Sequence, residues 1–268
     1  MNFIFDDIKV IADGEKEKIA AELFSEEIEI RTNKKPPVFD KKTGECFVEL
    51  KIIDESESED FSIQHDEKKI TVTAHRLRSL IYGYSVFLRK CRTVDGELVL
   101  TKDIGGDYSP YMPIRGHQLS YTDMNNTYET WDRKQYERYI RDLMMFGMNT
   151  VEACLGDDEK HTDLMKYSFE EITKIKSQIC EKLDINFSIF CAYAKRLSDE
   201  ESSDYFCGCC NGIPKFNFYF PPGGDPGDLQ AEEFFVRCKK IKKDLQKEFP
   251  NIELWPSAQA PHQYANDL

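Results

Sequence analysis

Two carboxylates and a handful of aromatic side chains carry the chemistry open to this sequence. Glu152 falls at the end of the strand expected near 149–154, and Asp225 lies in the turn-rich string Pro222-Gly223-Gly224-Asp225-Pro226-Gly227, with Asp228 just beyond. Carboxyl groups brought to one bond can act as proton donor and as base. Each also has a plainer reading. Asp225 fits a turn or an N-terminal helix cap in so glycine-rich a string, and Glu152 fits a hydrogen bond inside a barrel or to a basic neighbour. Arg115 offers a planar fork suited to vicinal hydroxyls or a carboxylate, and fits a structural ion pair equally well. Tyr121, Tyr193 and Trp255 fall at the predicted C-terminal ends of strands, where a ring either meets a substrate or fills the core. His117, inside a predicted strand, reads as a core histidine.

The cysteines suggest a second chemistry, a zinc site, which the spacing does not favour. Structural zinc takes four ligands, commonly as two spaced pairs. Cys207-Gly208-Cys209-Cys210 has no second Cys/His pair at suitable distance, and His161 and Cys191 are isolated, so the segment is expected to be a surface loop bearing thiols. The nine cysteines are odd in number and scattered, the pattern of a reducing compartment. A cytoplasmic location is therefore expected. The amino terminus lacks the basic start of a signal peptide, and no apolar run approaches the ~18 residues of a membrane span. A formal net charge of −13 repels polyanions. The cationic run Lys239-Lys240-Ile241-Lys242-Lys243 sits among acids as a solvated helix face, so neither nucleic acid nor membrane is an expected partner.

The elements that must position these residues change rhythm along the chain. Residues 1–92 alternate strands with two helices. Phe47–Ile53, Phe61–His65 and Ile70–Ala74 are strand-like, and a helix over 77–90 carries Leu80, Ile81, Tyr84, Phe87 and Leu88 on one face. This is the pattern of a small α+β domain with its helices on one side of a sheet. Residues 93–113, rich in glycine and proline, form an expected connector.

From 114 to 268 strands and helices alternate strictly, with strands near 114–121, 149–154, 186–192, 216–220 and 252–255. Ser168-Phe169-Glu170-Glu171 has the form of a capping box at a helix start. Alternation of this kind implies parallel strands with helices outside. A closed (β/α) barrel needs eight strands and typically ~250 residues, so the expectation is a barrel truncated after about five strands. An open α/β sheet is the alternative, although no nucleotide-binding glycine-rich turn follows strand 1. The fold class is thus α/β: a small α+β domain (1–92), a connector (93–113) and a partial (β/α) TIM-type barrel (114–268).

The segment FSIQHDEKKITVTAHRLRSLIYGYSVFLRK, with Ile81-Tyr82-Gly83 near its helix start, resembles the non-catalytic domain that precedes the barrel in bacterial-type β-hexosaminidases and α-glucuronidases. Arg115-Gly116, Phe146-Gly147-Met148-Asn149 and Pro222-Gly223-Gly224-Asp225 are similar to barrel motifs of the same broad group, which includes the β-N-acetylglucosaminidases. The resemblance implies a glycoside hydrolase acting on an oligosaccharide or glycan, with no metal or organic cofactor. Such enzymes replace one protein carboxylate with the substrate's own acetamido oxygen, oriented by an aspartate. Asp225 matches that aspartate and Arg115 a sugar-contacting arginine; a sugar site also calls for aromatic faces, which Tyr121 and Trp255 would offer if they are not core. The position of the acid glutamate holds Pro226, which has no proton to give; Glu152 and Asp228 are the candidates for the missing carboxyl, and a different family placement is the alternative. The other reading is a truncated, inactive homologue that at most binds carbohydrate. A half-barrel exposes strand edges, so self-association through the open barrel is expected.

Overall fold

The computed structural model describes residues 3–5, 7–42, 44–119, 127–154, 165–190, 198–221 and 231–256. It forms two compact units, one comprising 1–113 with 142–148 and the other 114–141 with 149–268.

In the first unit the chain runs β1 (Phe3–Phe5), β2 (Lys9–Ile11), α1 (Glu15–Thr32), β3 (Val38–Phe39), β4 (Phe47–Ile52), β5 (Phe61–His65), β6 (Lys69–Ala74), α2 (Leu77–Lys90), β7 (Cys91–Val94), β8 (Glu97–Leu100) and β9 (Gly106–Tyr108). Six strands form a mixed sheet in the order β3-β2-β4-β6-β5-β9, and β1, β8 and β7 form a small antiparallel sheet. Alternation fixes the buried face: Ile70, Val72 and Ala74 are buried while Lys69, Thr71 and Thr73 between them are not. Against that face lie Phe24 of α1 and Tyr84 and Phe87 of α2, their ring centroids 5.1 and 6.0 Å from that of Phe24. Phe24 is completely buried, and truncating such a ring costs about 3–5 kcal/mol. Gly83 explains the Tyr-Gly pair of the sequence. A Cβ placed there would sit 2.2 Å from Cγ1 of Val72, so α2 can lie on β6 only because residue 83 has no side chain.

The second unit runs β10 (Gly116–Leu119), a 3-10 turn (Thr127–Thr130), α3 (Arg133–Met145), β11 (Thr150–Cys154), α4 (Phe169–Lys182), β12 (Asn186–Phe190), α5 (Asp199–Cys210), β13 (Phe218–Phe220), α6 (Ala231–Leu245) and β14 (Glu253–Leu254). The five strands pair in chain order, every pair parallel. Right-handed crossovers between successive parallel neighbours keep all helices on one face of a sheet. A doubly wound sheet reverses its strand order, and this one does not. The unit is a partial (β/α) barrel wall, and the open-sheet alternative falls away.

Local chemistry accounts for the joints. Gly147 takes φ +87° after α3, a conformation that favours glycine. Asn149 then accepts the backbone N–H of Arg115 on its side-chain oxygen at 2.9 Å, tying β11 to the entry of β10. At the start of α4 both hydrogen bonds of the expected capping box are present, from Glu171 N–H to Ser168 and from Ser168 N–H to Glu171.

Two expectations need correction. The stretch 93–113 holds most of the β7–β8 hairpin and the edge strand β9, which pairs with β5. Its Asp95-Gly96 turn, with φ of +51° and +80°, is a strong two-residue hairpin signal. Cys207-Gly208-Cys209-Cys210 lies on a helix, not in a loop: Ser198 and Glu201 form a second capping box that starts α5, and Cys210 is fully buried.

Candidate functional site

The helix-facing side of the barrel wall carries Leu119, Val151, Ala153, Phe187, Ile189 and Tyr219, all essentially buried. Phe206 of α5 packs on Tyr219 with ring centroids 4.7 Å apart. Because strand side chains alternate, the residues between them face the other way, toward the inside of the wall.

Register sets one row of that inner face. Gln118 pairs with Glu152, Glu152 with Ser188, and Ser188 with Phe218, which pairs in turn with Glu253. The row holds a hydrogen-bonded triplet. The Gln118 amide donates to Glu152 Oε1 at 2.8 Å, and the Ser188 hydroxyl donates to Oε2 at 3.2 Å. Burial pushes the Glu152 carboxyl up to about 7, against the opposing pull of those two hydrogen bonds. Among the described residues its side-chain partners are Gln118 and Ser188, with no lysine, arginine or histidine beside it. A carboxyl so placed is partly protonated at neutral pH, the condition for giving or taking a proton there.

Farther along the row, Trp255 directly follows β14. Its indole N–H donates to Glu253 at 2.8 Å and its ring stacks on Phe218, centroids 4.0 Å apart at 26°. The ring is thereby fixed on the same side of the sheet as Glu152.

On the helix side, Lys176 of α4 is almost wholly buried. Its ammonium donates to the carbonyl of Leu119, the last residue of β10, at 2.8 Å and lies 5.2 Å from the centroid of the Tyr136 ring. Burial lowers its pKa to about 8, while Cys154, Glu129 and Cys180 favour the charged form.

Of the residues expected from sequence, Glu152, expected at the end of its strand, stands in the middle of β11, and Trp255 directly follows β14. Arg115 precedes β10, three residues before Gln118, so it lies at the N-terminal end of the strand. At about 3.3 Å per residue it is roughly 10 Å along the wall from the Glu152 row, away from the C-terminal edge where barrel chemistry sits. His117 faces α3, with Nε2 3.2 Å from the Tyr139 hydroxyl; burial lowers its pKa. Asp225, Tyr121, Tyr193, Pro226 and Asp228 lie outside the described residues, as do His161 and Cys191. Among the described residues no group of three or more His, Cys, Asp or Glu is placed to hold a metal ion, and no helix is long and apolar enough to cross a membrane.

Sequence reading missed Gln118, Ser188 and Lys176. The first two come level with Glu152 only in the observed strands, where each of the three is the third residue; the strand starts expected from sequence, 114, 149 and 186, do not align them.

No protein-family model matches the chain, and no curated protein matches it in sequence. Solved structures do match in fold. The GH20 beta-N-acetylhexosaminidase from Streptomyces coelicolor A3(2) superposes with a TM-score of 0.71 at 11% identity, over 95% of this chain and 63% of that one. A mutant Streptomyces plicatus beta-hexosaminidase in complex with product (GlcNAc) gives 0.72 at 11% identity, over 95% and 62%. The GH20 exo beta-N-acetylglucosaminidase from Vibrio harveyi, in complex with N-acetylglucosamine, gives 0.67 at 11%, over 100% and 54%. At this identity the likeness establishes the fold, which is that of these hexosaminidases. The chain spans less than two thirds of the length of each.

Proposed function

We propose that this chain is a glycoside hydrolase of the β-N-acetylhexosaminidase kind, acting on glycans that carry N-acetylhexosamine. The observation that carries the reading is Glu152: a titrating carboxyl on the inner face of a barrel wall whose fold is shared with GH20 enzymes. In this reading the first unit, with the strands of 93–113 included, is the non-catalytic domain and 114–268 supplies the catalytic one. Glu152 moves the proton, Asp225 orients the substrate's acetamido group, and Trp255 and Tyr121 offer ring faces to the sugar. Glycoside hydrolysis requires a proton for the leaving oxygen and a partner for the anomeric carbon. Arg115 is given no substrate contact, because it stands at the far end of its strand.

One feature favours a second reading, a carbohydrate-binding homologue without turnover. Pro226 follows Asp225 where the resembled motif has its acid glutamate. Calorimetry with N-acetylglucosamine and its β-linked dimer, run beside a product assay on the dimer, separates the two. Binding with release of monosaccharide supports the enzyme, and binding without release supports the binding homologue. Absence of binding to either sugar refutes both.

A further inference from the structure

We infer that Gln118 and Ser188 are positioning residues that allow Glu152 to exchange a proton within the sheet; the inference rests on the glycosidase reading of the same site. A buried structural carboxyl is ordinarily held as a carboxylate by a cation or by backbone N–H groups. Glu152 has neither among the described residues: its partners are one primary amide and one hydroxyl, at 2.8 and 3.2 Å on opposite oxygens.

Both partners can reverse roles. An amide presents an N–H donor on one side and a carbonyl acceptor on the other, and a hydroxyl donates or accepts by rotating about its C–O bond. With Glu152 ionised, Gln118 and Ser188 both donate, as the structure shows. With Glu152 protonated, its O–H donates to Ser188 Oγ, or to the Gln118 carbonyl after the amide turns over. Neither state leaves the carboxyl without a partner, so the proton comes and goes without the cost of a buried unpaired group. Replacement of Ser188 by a cation would lock the ionised state, and apolar residues at both positions would lock the neutral one.

The row sets this up without any special loop. Gln118, Glu152 and Ser188 occupy matched positions on three neighbouring parallel strands, so the sheet's own hydrogen bonds hold the triplet in line. That rigidity is what a proton-transfer group requires of its surroundings.

The test follows the Glu152 carboxyl carbon by NMR across about pH 4 to 9 in the intact chain, the signal being assigned by its loss in Glu152→Gln. Ser188→Ala and Gln118→Leu each remove a donor to the carboxylate and are expected to raise the midpoint. A rise of one unit is a tenfold change in the ratio of protonated to ionised carboxyl. Ser188→Thr keeps the hydroxyl and is expected to restore the wild-type midpoint. In the wild-type protein, which needs no substitution, the Gln118 side-chain amide signals are expected to shift with the Glu152 midpoint. Purely structural roles would change stability and leave the midpoint in place. A midpoint unmoved by both substitutions, or amide signals indifferent to pH, overturns the inference. If the shifts appear while no glycoside is cleaved, the glycosidase reading fails and the roles of Gln118 and Ser188 stand.

Discussion

Glu152→Gln is the perturbation whose consequence is best defined by the structure. Glutamine matches glutamate in shape, and its amide can accept from one neighbour and donate to the other, so the row stays paired. The substitution removes only the ionisation. In the folded protein the carboxyl titrates near 7, and its ordinary value is 4.5. Between those values the native state binds more protons than the unfolded chain, so its stability falls as pH rises. The loss is complete above about 7. A shift of about 2.5 units at 1.36 kcal/mol per unit is about 3 kcal/mol, an upper figure for a group with some solvent contact. Glu152→Gln should therefore match the wild type near pH 4 and exceed it by up to about 3 kcal/mol near pH 8. Trp131 and Trp255 are the only two tryptophans and both belong to the second unit, so urea unfolding followed by tryptophan fluorescence reads from probes within the unit that holds Glu152. A stability difference between the two proteins that is the same at both pH values would refute the reasoning.

Three further outcomes follow from the packing. Gly83→Ala, which in an open helix would gain about 1 kcal/mol, should instead destabilise the first unit by about 1–3 kcal/mol through overlap with Val72; adding Val72→Ala should recover most of the loss by circular dichroism. Lys176 binds its proton less tightly folded, near 8, than its ordinary 10.5. The unfolded chain then holds more protons across that window, so this group's contribution to stability grows with pH by about 3 kcal/mol. Cys180 and Cys238, pushed up to about 12 from 9, act in the opposite sense above pH 9. The difference between wild type and Lys176→Met in urea unfolding isolates the lysine, and a difference independent of pH would contradict the assignment. Among the described residues β10 and β14 are the outer strands of the barrel wall, so sedimentation velocity should show self-association growing with concentration; a monomer at every concentration would count against open edges.

Much of the fold is legible in the sequence because its signals are periodic. Helix α2 and strand β5 occupy the expected residues, and Ser168 with Glu171 marks the start of α4. Helix α5 was hidden by its cysteines and low amphipathicity, although Ser198-Asp199-Glu200-Glu201 repeats the same capping signal. The β7–β8 hairpin was hidden in a glycine-rich stretch whose Asp95-Gly96 pair announced it. The site was legible only in part. Glu152 could be singled out by its type and place, but its two hydrogen-bond partners come from strands 34 and 36 residues away along the chain. Contacts at that separation depend on strand register, which hydrophobic pattern alone does not give for strands of four or five residues. Arg115 shows the reverse case. Its residue type suited a sugar, but it precedes β10, which starts at Gly116, a position the strand expected over 114–121 already implied.

The most direct test of the account is the rate of N-acetylglucosamine release from an aryl N-acetyl-β-glucosaminide by the wild-type chain and by Glu152→Gln, measured across pH 5 to 9. The wild type should turn over with a limb near pH 7, where Glu152 loses its proton. In the glutamine variant kcat should fall about 10²-fold or more, the scale of a lost acid–base group. Equal rates and identical pH profiles for the two proteins would rule out proton transfer by Glu152.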